Sequence, residues 1–252
     1  MNRERRNQIA VMLTKQSTVT NAQLMEQFGI SIETVRRDLA YLEQKGVLER
    51  VYGGAVRKEV VNEEPGYAKR EKENSKEKQA IASETQRLVK DKDTVFFDLG
   101  TTPLAIARNL DKDKKITAFT NALRTAVVLS EKGCDVILPG GQLRPGELSV
   151  SGSLAENNMS NFNIDKAIIG VGGITEKGIT DFIADEASIR RQVIKNARTV
   201  IAVADYAKFG VRAMCNVCPL EDVDILVTDE KAPVNMIKEF EKKGIKVIVS
   251  KS

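Results

Sequence analysis

Residues 20–57 read TNAQLMEQFGISIETVRRDLAYLEQKGVLERVYGGAVR, and their order of caps, turns and glycines specifies one small architecture. Thr20 and Gln23 form the Thr-x-x-Gln pattern of a capping box ahead of Leu24, Met25 and Phe28, and Gly29 supplies a left-handed residue that ends the helix after about two turns. Ser31 can cap a second helix, Ile32 to Lys45, whose Val35, Leu39 and Leu42 share one face while Thr34, Arg36, Arg37 and Asp38 project elsewhere; Gly46 closes it. Two helices joined by the tight turn Gly29-Ile30-Ser31 make a helix-turn-helix, whose second helix enters the major groove with its amino-terminal residues.

Downstream, Val47 to Arg57 reads as two short strands around a glycine turn, a wing with Arg50 and Arg57 at its base. Such a hairpin contacts phosphates or the minor groove and positions the reading helix without specifying bases. Upstream, Ile9, Met12 and Leu13 recur at helical spacing within residues 2–15, and Arg3, Arg5 and Arg6 give that helix a basic start able to reach a phosphate backbone. A three-helix unit can also serve only for packing, and an Arg-Arg pair on a helix is usually a solvated face. The ordered set of capped helix, glycine turn, Ser-capped basic helix and glycine wing favours DNA, because one geometry requires every element. Ser31, Thr34, Arg36, Arg37, Arg50, Tyr52 and Arg57 are the candidate DNA-facing residues.

Ser31-x-x-Thr34-Val35-Arg36-Arg37-Asp38-Leu39 followed by Gly46-x-x-x-Arg50-Val51-Tyr52-Gly53-Gly54-Ala55 resembles the signature of the DeoR family of sugar-catabolism repressors. The resemblance implies that the Thr-x-Arg-Arg-Asp helix is the recognition helix, with Thr34, Arg36 and Arg37 as DNA contacts. Asp38 is expected to orient a neighbouring arginine through a charge-assisted bond.

Residues 58–79 are rich in Glu, Lys and Asn, carry Pro65-Gly66, and have few apolar residues beyond Val60, Val61 and Tyr67, so most of the stretch reads as a solvated linker. Ser75 is expected to cap a helix running to about Lys90, with Ala80, Ile81 and Leu88 inward. From Thr94 the pattern alternates: strand 94–97, helix 103–110, strand 116–119, helix 122–132, strand 136–138, then, after a less regular middle, strand 166–171, helix 187–197, strand 200–204, strand 225–227, helix 234–243 and strand 245–249. This order predicts a mostly parallel sheet covered by helices. The expected organisation is a DNA-binding domain at 1–57, a linker at 58–74 and an α/β domain at 75–252.

Ligands of such sheets bind beyond the carboxyl ends of the strands. Five predicted strand ends carry small and polar residues there: Asp98-Leu99-Gly100-Thr101-Thr102-Pro103, Thr120-Asn121, Pro139-Gly140-Gly141, Gly170-Val171-Gly172-Gly173, and Asp205-Tyr206-Ala207-Lys208. Glycine and two threonines at a helix amino terminus suit a phosphate. Taken singly, Gly-Gly is usually a turn and Thr-Asn a cap; their recurrence after successive strands predicts a common polar mouth.

The DeoR resemblance extends through Asp98-x-Gly100-Thr101-Thr102, Thr120-Asn121, Gly140-Gly141, Ser151-Gly152, Asp185-Glu186-Ala187 and Asp205-x-x-Lys208-Phe209-Gly210. It implies a sensor domain resembling ribose-5-phosphate isomerase-like folds. There Thr101 and Thr102 would hold a phosphate, and Asp98, Asn121, Asp205 and Lys208 would contact a sugar; the other residues of these motifs, Gly100, Thr120, Gly140, Gly141, Ser151, Gly152, Asp185 and Glu186, complete the candidate effector set. The chain departs from the family pattern at Tyr206-Ala207, where two serines are more usual, and at Ala122, where serine is common.

Composition bounds the alternatives. Aromatic residues make up 5% of the chain and Trp is absent, so the core is built from Ile, Val, Leu and Ala, as suits buried strands packed by helices. The net charge of +4 identifies no partner by itself, but residues 1–57 hold nine basic and six acidic residues, so most of the excess sits in the first quarter. Three cysteines, no signal-peptide pattern and no apolar run of membrane-spanning length imply a cytoplasmic protein that does not enter a membrane. With no His, and with Cys215-x-x-Cys218 as an isolated pair, neither a metal nor a cofactor is expected. A homo-oligomer, dimer or tetramer, is expected because one short reading helix contacts few bases. Two alternatives remain open: a sugar-phosphate isomerase using Asp205 or Glu186 as base beside Lys208, and a large domain that serves only as an oligomerisation platform.

Overall fold

The computed structural model describes residues 2–15, 18–57 and 63–251. The first unit consists of α1 (Asn2–Lys15), β1 (Thr18–Thr20), α2 (Asn21–Phe28), α3 (Ile32–Gln44), β2 (Leu48–Val51) and β3 (Gly54–Arg57). Ile9 and Leu13 of α1 bury against Leu24, Val35, Leu39, Leu42 and Leu48, one residue set from each predicted apolar face. The wing holds one strand more than the sequence suggested: β1 joins β3 to make an antiparallel sheet in the order β1-β3-β2. Gly54 permits that pairing, because a Cβ there would lie 2.1 Å from the Val19 carbonyl oxygen.

Two further helices follow, α4 (Tyr67–Lys72) and α5 (Ser75–Leu88). The expected Ser75 cap is corrected: Ser75 is the first helical residue, and Asn74, left-handed at φ 53°, occupies the cap position without a side-chain capping bond. The solvated reading of the connecting segment is corrected as well. Glu64 and Arg70 are largely buried in an ion-pair network, so the segment packs against the large domain. Lys58 to Asn62 of that segment lie outside the described residues.

The large domain runs β4 (Thr94–Phe97), α6 (Thr101–Asn109), β5 (Thr117–Thr120), α7 (Leu123–Glu131), β6 (Asp135–Ile137), β7 (Gln142–Arg144), β8 (Ser149–Ser151), α8 (Ser153–Met159), β9 (Ile164–Gly170), β10 (Gly173–Thr175), β11 (Gly178–Asp181), α9 (Ala184–Asn196), β12 (Ala197–Val203), β13 (Cys215–Cys218), β14 (Ile225–Asp229), α10 (Val234–Lys242) and β15 (Lys246–Ser250). Seven strands form one parallel sheet in the order β15-β14-β12-β9-β4-β5-β6. Buried aliphatic and Phe side chains pack on both faces, as parallel strands require. The α/β architecture with its mostly parallel sheet is therefore as expected, and the "less regular middle" resolves into the hairpin β7-β8 and the small antiparallel sheet β10-β11-β13. Among the described residues no helix is long and apolar enough to cross a membrane.

Candidate DNA-binding face and effector pocket

The reading helix is set by local chemistry. Gln23 N–H donates to Thr20 Oγ1 at 3.1 Å and Thr20 N–H to Gln23 Oε1 at 2.8 Å, a complete capping box, and Gly29 ends α2 at φ 61°. Ser31 Oγ accepts the Thr34 N–H at 3.4 Å and lies 3.2 Å from Thr34 Oγ1, so both hydroxyls sit at the start of α3. Arg36 and Arg37 are exposed on the face opposite Val35 and Leu39, and among the described residues neither forms an ion pair. Tyr52 at the wing tip is fully exposed. Arg50 holds the wing base to the reading helix: its backbone N–H and its Nε both donate to the Glu43 carboxylate, at 2.9 and 2.6 Å. Those bonds, the backbone one first, hold the Glu43 carboxyl below its usual range. The Arg57 side chain lies outside the described residues.

Asp38 does not orient Arg36 or Arg37. It is buried, and its two oxygens accept from Arg5 Nε and Arg6 Nε of α1, each at 2.6 Å. Helical geometry explains the correction: Asp38 follows Val35 by three residues and so turns toward the core face, where α1 crosses. Arg5 and Arg6 thereby become struts of the fold, which also corrects the expectation that they reach a phosphate backbone. Arg6 further lies over the Tyr41 ring at 4.0 Å.

At the carboxyl edge of the sheet a cavity of about 90 Å³ opens where β4, β9 and β12 end. Its lining includes Gly100, Thr101, Thr102, Gly170, Val171, Gly172, Asp205 and Lys208. Gly100 takes φ 108° at the amino terminus of α6 and offers no side-chain cap, so the first amides of that helix face the cavity. Gly170 is closely approached: a Cβ there would lie 3.2 Å from the Leu99 carbonyl oxygen, so any larger residue would push the two strand ends slightly apart. Asp205 Oδ1 accepts from Ala207 N–H at 2.9 Å and from Asn74 Nδ2 at 3.2 Å.

Beneath the cavity Arg190 of α9 joins two buried carboxylates: its Nε donates to Asp98 Oδ2 and its Nη1 to Asp181 Oδ2, each at 2.5 Å. Asp98 also accepts the Leu99 and Gly170 amides. Burial pushes its carboxyl up to about 6, against the pull of the Arg190 guanidinium. Asp98 is thus committed to bracing the strand ends.

Three of the five predicted strand ends converge here and two do not. All five strands are consecutive in the sheet, β12-β9-β4-β5-β6, but the turns after β5 and β6 contact the β8 strand, through the Ala122–Ser149 bridge and the approach of Gly141 to Ser151, rather than lining this cavity. Thr120 Oγ1 accepts the Ala122 N–H, and the Asn121 carbonyl accepts from Val150 at 2.7 Å. The Asn121 amide is buried with neither side-chain atom hydrogen-bonded among the described residues. Gly140 and Gly152 take positive φ at turns, and Gly141 faces Ser151, where a Cβ would lie 2.5 Å from the Ser151 carbonyl oxygen. Glu186 is buried against that hairpin, accepting from Arg144 at 2.9 Å and Ser149 at 2.8 Å, while Asp185 is exposed.

Sequence reasoning missed Arg70, Glu73, Asn74, Lys78, Asp181 and Arg190, all of which line the cavity. The available signal was Glu77-Lys78 beside the apolar Ile81 and Ala82 on one helix, a charged pair carried into the buried side of α5. Cys215 and Cys218 lie in β13; burial pushes the Cys218 thiol up to about 12, which disfavours its thiolate.

Residues 5–60 match the model of the DeoR-like helix-turn-helix domain, and residues 73–230 that of the DeoR C-terminal sensor domain. The chain is 32% identical over 249 residues to the HTH-type transcriptional regulator GolR of Listeria innocua, covering 98% of each chain. It is 33% identical to the HTH-type transcriptional repressor GlcR of Bacillus subtilis, covering 98% of this chain and 96% of that one. It is 32% identical to the glycerol-3-phosphate regulon repressor of Escherichia coli, covering 93% and 94%. Among solved structures, ribose 5-phosphate isomerase A of Methanocaldococcus jannaschii is similar with a TM-score of 0.42 at 15% identity, over 54% of this chain and 55% of that one. The translation initiation factor eIF-2B of Pyrococcus horikoshii is similar with a TM-score of 0.43 at 14% identity, over 89% and 87%. With both of its parts matched and relatives aligned over nearly its whole length, the chain belongs to the DeoR family of transcriptional regulators.

Proposed function

We propose that this protein is a DNA-binding repressor of sugar-utilisation genes whose hold on its operator changes when a phosphorylated sugar occupies the strand-end cavity. The carrying observation is the presence in one chain of an exposed Arg36-Arg37 pair on a Ser-capped helix and a cavity at an uncapped helix amino terminus. Residues 1–57 are the DNA-binding domain, 58–74 the connection and 75–252 the effector domain. Thr34, Arg36 and Arg37 read base edges, and Ser31, Arg50, Tyr52 and Arg57 grip the backbone. Thr101 and Thr102, with the α6 amides, take the phosphoryl group, and Asp205 and Lys208 the sugar. The protein works in the cytoplasm as a dimer or tetramer on paired half-sites; sedimentation as a monomer both with and without DNA would remove that assembly. Asp205 and Lys208 bind rather than turn over the sugar, and conversion of a bound sugar phosphate that is lost in Asp205→Asn would reverse this assignment.

Arg36→Ala or Arg37→Ala is expected to cost roughly 1–3 kcal/mol of operator binding, with little change on random DNA, if the arginine pairs with a guanine edge. A phosphate contact would instead weaken all sequences alike and reduce the salt slope by about one unit. Fluorescence anisotropy on operator and random duplexes at several salt concentrations separates the two; equal losses on both duplexes would remove the base-reading role.

A further inference from the structure

The cavity has a wall that the large domain does not supply. Arg70, on α4 of the connecting segment, reaches across to the amino terminus of α6, where its Nη1 lies 4.0 Å from the position a Gly100 Cβ would occupy. Its other nitrogens are engaged elsewhere: Nε donates to the Pro65 carbonyl at 2.8 Å, and Nη2 pairs with Glu147 and, at 3.1 Å, with Glu64. A guanidinium directed at the positive end of a helix is unfavourable unless an anion lies between them. Glu147 and Glu64 both meet Arg70 at Nη2, on the side away from that terminus, so they do not stand between Nη1 and the first amides of α6; the buried Glu147 Oε1 has no hydrogen-bond partner among the described residues.

Lys78 holds the arm in this position. Its Nζ donates to the Arg70 carbonyl and, at 2.7 Å, to the Glu73 carbonyl, closing the carboxyl end of α4 onto α5. The arm then reaches the DNA-binding unit. Glu73 lies 3.9 Å from Lys45, the residue that ends the reading helix. Asn74 bridges Asp205 of the cavity to the Tyr206 hydroxyl at 3.3 Å, and Arg3 of α1 lies 5.5 Å from the Tyr206 ring centroid.

We propose that Arg70 is the principal cationic ligand for the phosphoryl group of the effector, so that the segment joining the two domains is itself part of the binding site. This rests on the effector reading above and extends it to a residue outside the sensor domain's strand ends. A dianionic phosphate between Arg70 Nη1 and the amides of Thr101 and Thr102 meets the remaining guanidinium nitrogen and the helix terminus together. It also ties the arm, and through Glu73 and Asn74 the DNA-binding unit, to the occupied cavity.

The test is calorimetric titration of the full-length protein with inorganic phosphate and with three- to six-carbon sugar phosphates, each beside its unphosphorylated form. Arg70→Gln is expected to weaken binding of the compound that the wild type takes by about ten- to a hundredfold, the range of a charge-assisted contact. Glu147→Gln removes a carboxylate that draws Arg70 away and is expected to tighten binding severalfold. Wild-type affinity in a folded Arg70→Gln overturns the proposal. Should Arg70→Gln not fold by circular dichroism, Glu147→Gln decides, and unchanged or weaker binding overturns it. If the wild type binds operator but none of the phosphorylated compounds, the effector reading itself falls and takes Arg70 with it; if the wild type binds one and Arg70→Gln binds it equally, only the Arg70 assignment falls.

Discussion

Arg190→Met is expected to destabilise the large domain by about 3–5 kcal/mol, the cost of leaving buried charges without their partner. Methionine fills much of the same space, so the loss is electrostatic rather than a cavity effect. Asp98 and Asp181 then face each other beneath the cavity with no cation between them, and both lie at strand ends within the core. The pH dependence carries a definite sign. Asp98 already titrates near 6 in the folded chain, above the ordinary carboxylate value of 3.8, and loss of Arg190 raises it further. A carboxyl whose folded pKa is raised binds a proton on folding between its unfolded and folded values, so its contribution improves as pH falls through that window. The Arg190→Met deficit should therefore be largest at pH 7 and shrink toward pH 5. Urea unfolding followed by circular dichroism measures this, since the chain has no Trp. A deficit independent of pH would contradict the account of the triad.

Asp38→Ala is expected to cost the DNA-binding unit about 2–3 kcal/mol. Arg5 and Arg6 keep 12% and 21% of their side-chain surface exposed and can turn partly to water, so the penalty falls below that of a fully buried pair. The consequence lies in the reading helix. Asp38 ties α3 to α1 three residues after Val35, and without it the surface that presents Thr34, Arg36 and Arg37 loses its brace. Operator affinity should fall although Asp38 touches no DNA, and the salt slope should stay at its wild-type value because no phosphate contact is removed. A double-mutant cycle with Arg5→Ala should return a coupling energy of at least about 1 kcal/mol. Additive losses would mean that the two residues act separately.

What the sequence made legible is what local chemistry decides. Thr20 and Gln23, Gly29, and Ser31 each act within four residues of themselves, and the structure places the caps and the turn where those residues require them. The strand Thr94–Phe97 and its parallel neighbours were readable because a strand buried on both faces is a short apolar run bounded by turns. Long-range pairing left no such trace. Arg190 lies 92 residues from Asp98, and in the sequence it is one basic residue in a helical stretch. Arg70 and Glu64 belong to a charged segment that resembles a solvated linker, and only the fold brings Glu147 to Arg70 from 77 residues away. The five strands of the expected mouth are consecutive in the sheet, β12-β9-β4-β5-β6, yet the cavity opens only at the β12, β9 and β4 ends; the turns after β5 and β6 bond instead to the β7-β8 hairpin and its flank, a packing that the chain's linear order does not reveal. The strands of three or four residues in β7, β8, β10, β11 and β13 are too short to carry a period of their own.

The most direct test of the central claim is fluorescence anisotropy of the full-length protein on DNA from the region upstream of its own gene, titrated with three- to six-carbon sugar phosphates. Specific binding is expected, with its affinity shifted by one phosphorylated sugar and left unchanged by the unphosphorylated form, and with operator in turn shifting the affinity for that sugar by the same factor. Binding no tighter than to random DNA, or operator affinity that no phosphorylated compound moves, would contradict it.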